Sequence, residues 1–126
     1  MESIKNYEYE KLVSNALGFY FKKHNLRIVK HQEYGVDLAN DKISISISYK
    51  YKELQIVFNN GVNQKELNDF IFEKFPDYIQ LIKNNPEMAI FQKKANANIY
   101  DEFSTYLTQA FDFFNRYYPF VFMGII

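Results

Sequence analysis

Apolar residues near the start of the chain recur at steps of three and four, at Tyr9, Leu12, Val13, Ala16, Leu17, Tyr20 and Phe21. One face of an α-helix requires that spacing, so the pattern predicts helix from about Ser3 to His24, with Asn25 as its stop. Its charges run from Glu8 and Glu10 to Lys22 and Lys23, which suits the helix dipole. The period then falls to two. Leu26 and Ile28 oppose Arg27, Val29 and His31; Tyr34, Val36 and Leu38 alternate with Gly35, Asp37 and Ala39; Ile43, Ile45, Ile47 and Tyr49 alternate with Ser44, Ser46 and Ser48. Strands with one apolar and one polar face follow from this alternation.

Counting outward from a two-residue turn fixes which residues pair across a hairpin. A turn at Asn40-Asp41 sets Leu38 against Ile43, Val36 against Ile45 and Tyr34 against Ile47. A second turn, at Lys50-Tyr51, sets Ile47 against Leu54, Ile45 against Ile56 and Ile43 against Phe58. Every pair is apolar, while Glu33, Asp37, the three serines, Glu53 and Gln55 collect on the opposite face. An antiparallel meander of three to four strands, buried on one side, satisfies both hairpins. Beyond Asn59-Asn60-Gly61 the helical period returns, with Asn63 as N-cap, Glu66 in the capping-box position, and Leu67, Phe70, Ile71 and Phe75 as the apolar stripe. Pro76 interrupts that helix, and Tyr78, Ile79 and Ile82 belong to its continuation. Residues 86–97 show no decisive period. A last helix spans Asn98 to Tyr118 through Ile99, Phe103, Tyr106, Leu107, Ala110, Phe113, Phe114 and Tyr117, and Pro119 ends it. The expected architecture is a single α+β domain over residues 1–126: an N-terminal helix, the meander, then C-terminal helices, with the first and last helices on the isoleucine face.

At 126 residues the chain has room for one ordinary core. Aromatic residues make up 19%, as eleven Tyr and thirteen Phe without Trp, so rings dominate the core and several Tyr are left for a surface. The abundance of Asn, Lys, Ile, Phe and Tyr suggests a low-GC bacterial or phage genome. Fifteen bases balance fifteen acids, which removes any bulk attraction to phosphate and argues against a nucleic-acid partner. With no cysteine, disulfides and thiol chemistry are excluded and a reducing compartment fits. The N-terminal residues mix charges and lack the apolar run of a secretion signal. Residues 117–126 are uncharged but fall short of the roughly 20 apolar residues that cross a bilayer. No membrane span is expected. Phe120 and Phe122 are expected to pack on the first helix or a sheet edge, within the chain or against a homodimer mate, because such a run is an exposed liability otherwise.

Residues that could carry chemistry are sparse. The two histidines, His24 at a helix end and His31 in a strand, do not have the spacing of a helical metal pair, and a solvated or capping role suits them. The closest carboxylate pairs are Asp101-Glu102, Asp69-Glu73 and Glu33-Asp37, all consistent with solvated faces. Gly18, Gly35, Gly61 and Gly124 are too dispersed to cradle phosphate. Catalytic, metal and cofactor residues are therefore none. What remains is a polar sheet face with a tyrosine rim, and Tyr is enriched at protein-binding hot spots. The candidate protein-binding residues are Tyr49 and Tyr51 at the second turn, with Asp37 and Glu53 on the outer face. The acids would suit a basic partner.

A leading amphipathic helix is followed by Tyr-Gly-Val-Asp-Leu (34–38), Ile-Ser-Ile-Ser-Ile-Ser-Tyr (43–49), Lys-Tyr-Lys (50–52) and Glu-Leu-Gln-Ile-Val (53–57). Over residues 7–58 this order resembles small bacterial immunity proteins, the partners of polymorphic toxins. The resemblance implies a cytoplasmic, non-catalytic protein that blocks one toxin through an exposed surface; it carries over no site residue. A small enzyme using scattered carboxylates and Tyr hydroxyls, or a structural oligomeric component, are the alternatives.

Overall fold

The computed structural model describes residues 4–126; Ser3, the expected helix start, lies outside the described residues, and because residues 4–7 are not helical the first helix begins at Glu8 and not near Ser3. The fold is α+β. Two helices, α1 (Glu8–Ala16) and α2 (Gly18–His24), lead into a five-stranded antiparallel meander of β1 (Arg27–Gln32), β2 (Gly35–Ala39), β3 (Ser44–Lys50), β4 (Glu53–Asn59) and β5 (Gln64–Glu66), arranged in sequence order. Helices α3 (Leu67–Lys74), α4 (Tyr78–Asn84) and α5 (Ile99–Tyr117) follow, with short 3-10 turns at Pro86–Met88 and Pro119–Met123. Helices α1 and α5 pack together over the sheet face that carries Val36, Leu38, Ile45, Ile47, Ile56 and Phe58, all fully buried.

The single leading helix expected from the pattern is two. Leu17 leaves helical geometry at φ −111°, although Leu17 N–H still donates to Val13 and Phe21 N–H to Leu17. Gly18, a weak helix former, sits at the joint. Asn25 ends α2 in the left-handed conformation, as expected, and Leu26 N–H closes the end on the Phe21 carbonyl.

Both hairpins keep the expected faces and shift the expected register by two residues. Leu38 pairs with Ile45 and Val36 with Ile47, which leaves a four-residue connection, 40–43. Asn40 explains it: its Oδ1 accepts from Lys42 N–H at 2.8 Å and Ile43 N–H at 3.0 Å, and its own N–H donates to the Ile43 carbonyl at 3.0 Å, so the turn closes around Asp41-Lys42 and not Asn40-Asp41. In the next hairpin Tyr49 pairs with Leu54, Ile47 with Ile56 and Ile45 with Phe58, so the turn is Tyr51-Lys52 and not Lys50-Tyr51. A shift of two preserves side-chain parity, so Ile43, Ile45, Ile47 and Ile56 are buried, Leu54 is half-buried, and the serines are the more exposed set. Gly35 allows β2 to cross β3 closely, since a Cβ there would lie 1.8 Å from the Ile47 carbonyl oxygen.

Asn63 is not a helix cap. Residues 64–66 add a strand to the sheet, and Glu66 caps α3 instead, in a capping box with Asp69. Asn60 repeats the device of Asn40, its Oδ1 accepting from Val62 and Asn63 N–H. The two asparagines also hold the C-terminal segment: Asn40 Nδ2 donates to the carbonyls of His24 and Phe122, at 2.9 and 3.0 Å, and Asn60 Nδ2 donates to the Gly124 carbonyl at 2.9 Å. Phe122 is thereby seated in a ring cluster with Tyr20, His24, Phe58 and Phe111, its centroid 4.2 Å from that of His24 in a stacked arrangement. Phe120 does not share its burial; it is 60% exposed, as the 3-10 turn points it away from the core. His24 is not a solvated ring either. Its Nε2 is buried with no hydrogen-bond partner among the described residues, and desolvation, with Lys23 nearby, lowers its pKa.

Candidate binding surface

The chain's turns divide the sheet into two unlike ends. The C-terminal segment covers the end formed by the Asn40 and Asn60 turns. At the other end, the β1–β2 and β3–β4 connections bring together Glu33, Tyr34, Tyr51 and Lys52, facing the residues that precede α1. Between them lies a cleft of about 630 Å³, walled by Tyr7, Tyr9, Tyr34, Tyr49 and Tyr51 with Ile4 and Ile99, and edged by Lys5, Lys52 and Glu33.

The expected binding residues are distributed as follows by the fold. Tyr51 is 88% exposed at the cleft mouth. Glu53 pairs across the hairpin with Lys50 and lies in a neighbouring depression on the outer sheet face, which also includes Tyr34 and Tyr51. Asp37 is outside this group. It sits further along the outer face with Val29, Ser44 and Ser46, and its carboxylate accepts from Gln32 Nε2, which also reaches Ser46 Oγ at 2.9 Å. Tyr49 is a correction: at 3% exposure it belongs to the core, because the register shift moves it from the edge of a turn to a full rung opposite Leu54, under α1 and α5. Its hydroxyl donates to Glu102 at 2.8 Å, and Tyr9 donates to the Tyr49 carbonyl at 3.1 Å. Burial pushes the Tyr9 phenol up to about 12 and raises Tyr49 as well, where the Glu102 carboxylate adds to the effect. Both are neutral hydrogen-bond donors that stiffen the cleft floor.

The turn itself is strained. Tyr51 and Lys52 have φ of 52° and 60°, the left-handed values that a two-residue hairpin requires and that Asn-Gly adopts without penalty. A bulky aromatic and a lysine there cost about 1 kcal/mol or more each. Lys50 lies between two rings, its Nζ 5.0 Å from the Tyr34 centroid and 5.3 Å from that of Tyr51, which supports the exposed tyrosine by cation–π attraction. Among the described residues, no carboxylate pairs with Lys5, Lys50 or Lys52. Tyr7, 75% exposed, and Lys5 were not indicated by the pattern: they precede the helical stripe, and only the tertiary fold sets them beside the hairpin tip.

Other polar pairs have structural partners. Glu73 accepts from Lys65, which with help from Tyr118 holds its carboxyl below the usual range despite some desolvation, and His31 Nε2 lies 3.3 Å from Glu10. Among the described residues no group of three or more His, Cys, Asp or Glu could hold a metal ion, and no helix is long and apolar enough to cross a membrane. Comparison with protein-family models, with curated proteins and with solved structures gives no match.

Proposed function

We propose that the chain is a non-catalytic protein-binding module, an immunity-like inhibitor of a bacterial toxin, and that it meets its partner through the β3–β4 hairpin tip. The observation that carries this reading is Tyr51: a large ring 88% exposed, held in a left-handed conformation that costs stability and contributes nothing to the core. Strain of this kind persists where a side chain is needed in one place, and tyrosine, a rigid ring with a hydroxyl, is enriched among the anchors of protein interfaces. Tyr34, Lys50 and Glu53 surround it and supply a polar rim. The resemblance over residues 7–58 points to the same class of partner.

The test is co-expression of the chain with each protein encoded beside it, scored by host growth, followed by titration calorimetry on the pair that interacts. Wild-type chain is expected to restore growth against one such neighbour. Tyr51→Ala is expected to weaken binding tenfold or more, about 1.4 kcal/mol, with an unchanged melting temperature. A neighbour that is inhibited equally by both forms removes the hairpin tip from the interface, and the absence of any growth effect overturns the inhibitor reading.

A further inference from the structure

The cleft beside the hairpin tip has a chemistry that says what part of a partner it takes. We infer that it receives an acidic, aromatic-bearing peptide segment: an aromatic side chain between Tyr7, Tyr34 and Tyr51, and a carboxylate on Lys5 and Lys52. This rests on the reading that the hairpin tip is a partner surface, and it reverses the basic partner that the sequence's outer-face acids would suit.

Three observations lead to it. The cleft walls are tyrosine rings whose deeper members, Tyr9 and Tyr49, are locked by hydrogen bonds to the Tyr49 carbonyl and to Glu102, so the apolar floor is preformed. Offset or edge-on packing of one more ring against such walls is favourable beyond its buried area. Next, the charges at the mouth are unbalanced. Among the described residues Lys5 and Lys52 line the cleft against Glu33 as its single acid, while Lys50, on the Tyr34 and Tyr51 rings, and its cross-strand partner Glu53 lie outside it in the neighbouring depression; no carboxylate of the described residues forms an ion pair with Lys5 or Lys52. A carboxylate arriving there gains attraction without displacing an existing ion pair. Finally, the two strained residues of the turn are the aromatic and the cation of this cleft, Tyr51 and Lys52. The backbone penalty is thus spent on one ring and one positive charge at the same mouth, the complement of a ring and a negative charge.

The full chain, labelled with nitrogen-15, would be titrated with acetyl-Asp-Phe-Glu-amide and with acetyl-Lys-Phe-Lys-amide, reading amide shifts by NMR. The acidic peptide is expected to move the signals of Lys5, Tyr7, Tyr34 and Lys52 and to bind at least fivefold tighter than the basic one. The double variant Lys5→Glu/Lys52→Glu should invert that preference while its remaining spectrum stays folded. Equal binding of the two peptides, a preference for the basic one, or tighter binding of adenosine monophosphate than of either peptide overturns the inference. Should the partner found by co-expression depend on Tyr51 while the acidic peptide leaves these signals in place, the inference fails and the inhibitor reading stands.

Discussion

Phe122 and Phe120 stand two residues apart in one 3-10 turn, yet the fold predicts opposite consequences for removing them. Phe122 is 1% exposed and touches rings from α2, β4 and α5, while Phe120 is 60% exposed. Truncating Phe122 to Ala removes about 1.5–3 kcal/mol of transfer free energy. It also leaves a void among Tyr20, Phe58 and Phe111 that side chains fixed by their own neighbours fill poorly, which brings the expected cost to about 3–5 kcal/mol. For a chain of this length that is a fall in melting temperature of about 10–20 °C. Phe120→Ala should fall within about 0.5 kcal/mol of wild type. Urea titration followed by circular dichroism measures both. If the two substitutions cost the same, or Phe122→Ala costs under about 1 kcal/mol, the C-terminal segment is not docked in the ring cluster, and the hydrogen bonds from Asn40 and Asn60 do not hold it there.

Two further outcomes are expected. His24 is held less readily protonated in the folded chain than its ordinary value of 6.5, so its contribution to stability is complete above that pH and is lost as the pH falls; urea midpoints at pH 7.5 and 5.5 should drop in wild type and drop less in His24→Phe, and parallel drops would show that His24 is not the group responsible. Replacing the turn by its relaxed sequence, Tyr51→Asn with Lys52→Gly, should raise stability by about 2 kcal/mol in the same assay while weakening partner binding, and a loss of stability would show that the positive φ values carry no penalty.

Much of the architecture is legible in the residues themselves. Periods of 3.6 and 2 separate helix from strand, and strict alternation over residues 43–49 decides which side chains face inward whatever the register, because a slip of two residues returns every side chain to its face. Asn25, Pro76 and Pro119 act through local backbone preference, so the helix ends they mark fall where expected. Tertiary structure decided the rest. The loop at residues 40–43 is four residues long because Asn40 bonds its own turn and, through its amide, carbonyls 16 and 82 residues away, a partnership with no local signature. The same limit applies to Asn60 and to the strand at 64–66, which has no apolar alternation and exists by pairing with β4. Tyr49 and Tyr51 illustrate the division most sharply. Both are tyrosines at the end of one strand, and alternation alone assigns them the same face. The chain reverses at Tyr51-Lys52, so Tyr49 stays in the strand and is buried under α1 and α5, whereas the positive-φ turn lifts Tyr51 into solvent beside Tyr7 and Lys5. Burial depends on what the remote helices cover, and that is a sum over the whole fold that no window of sequence contains.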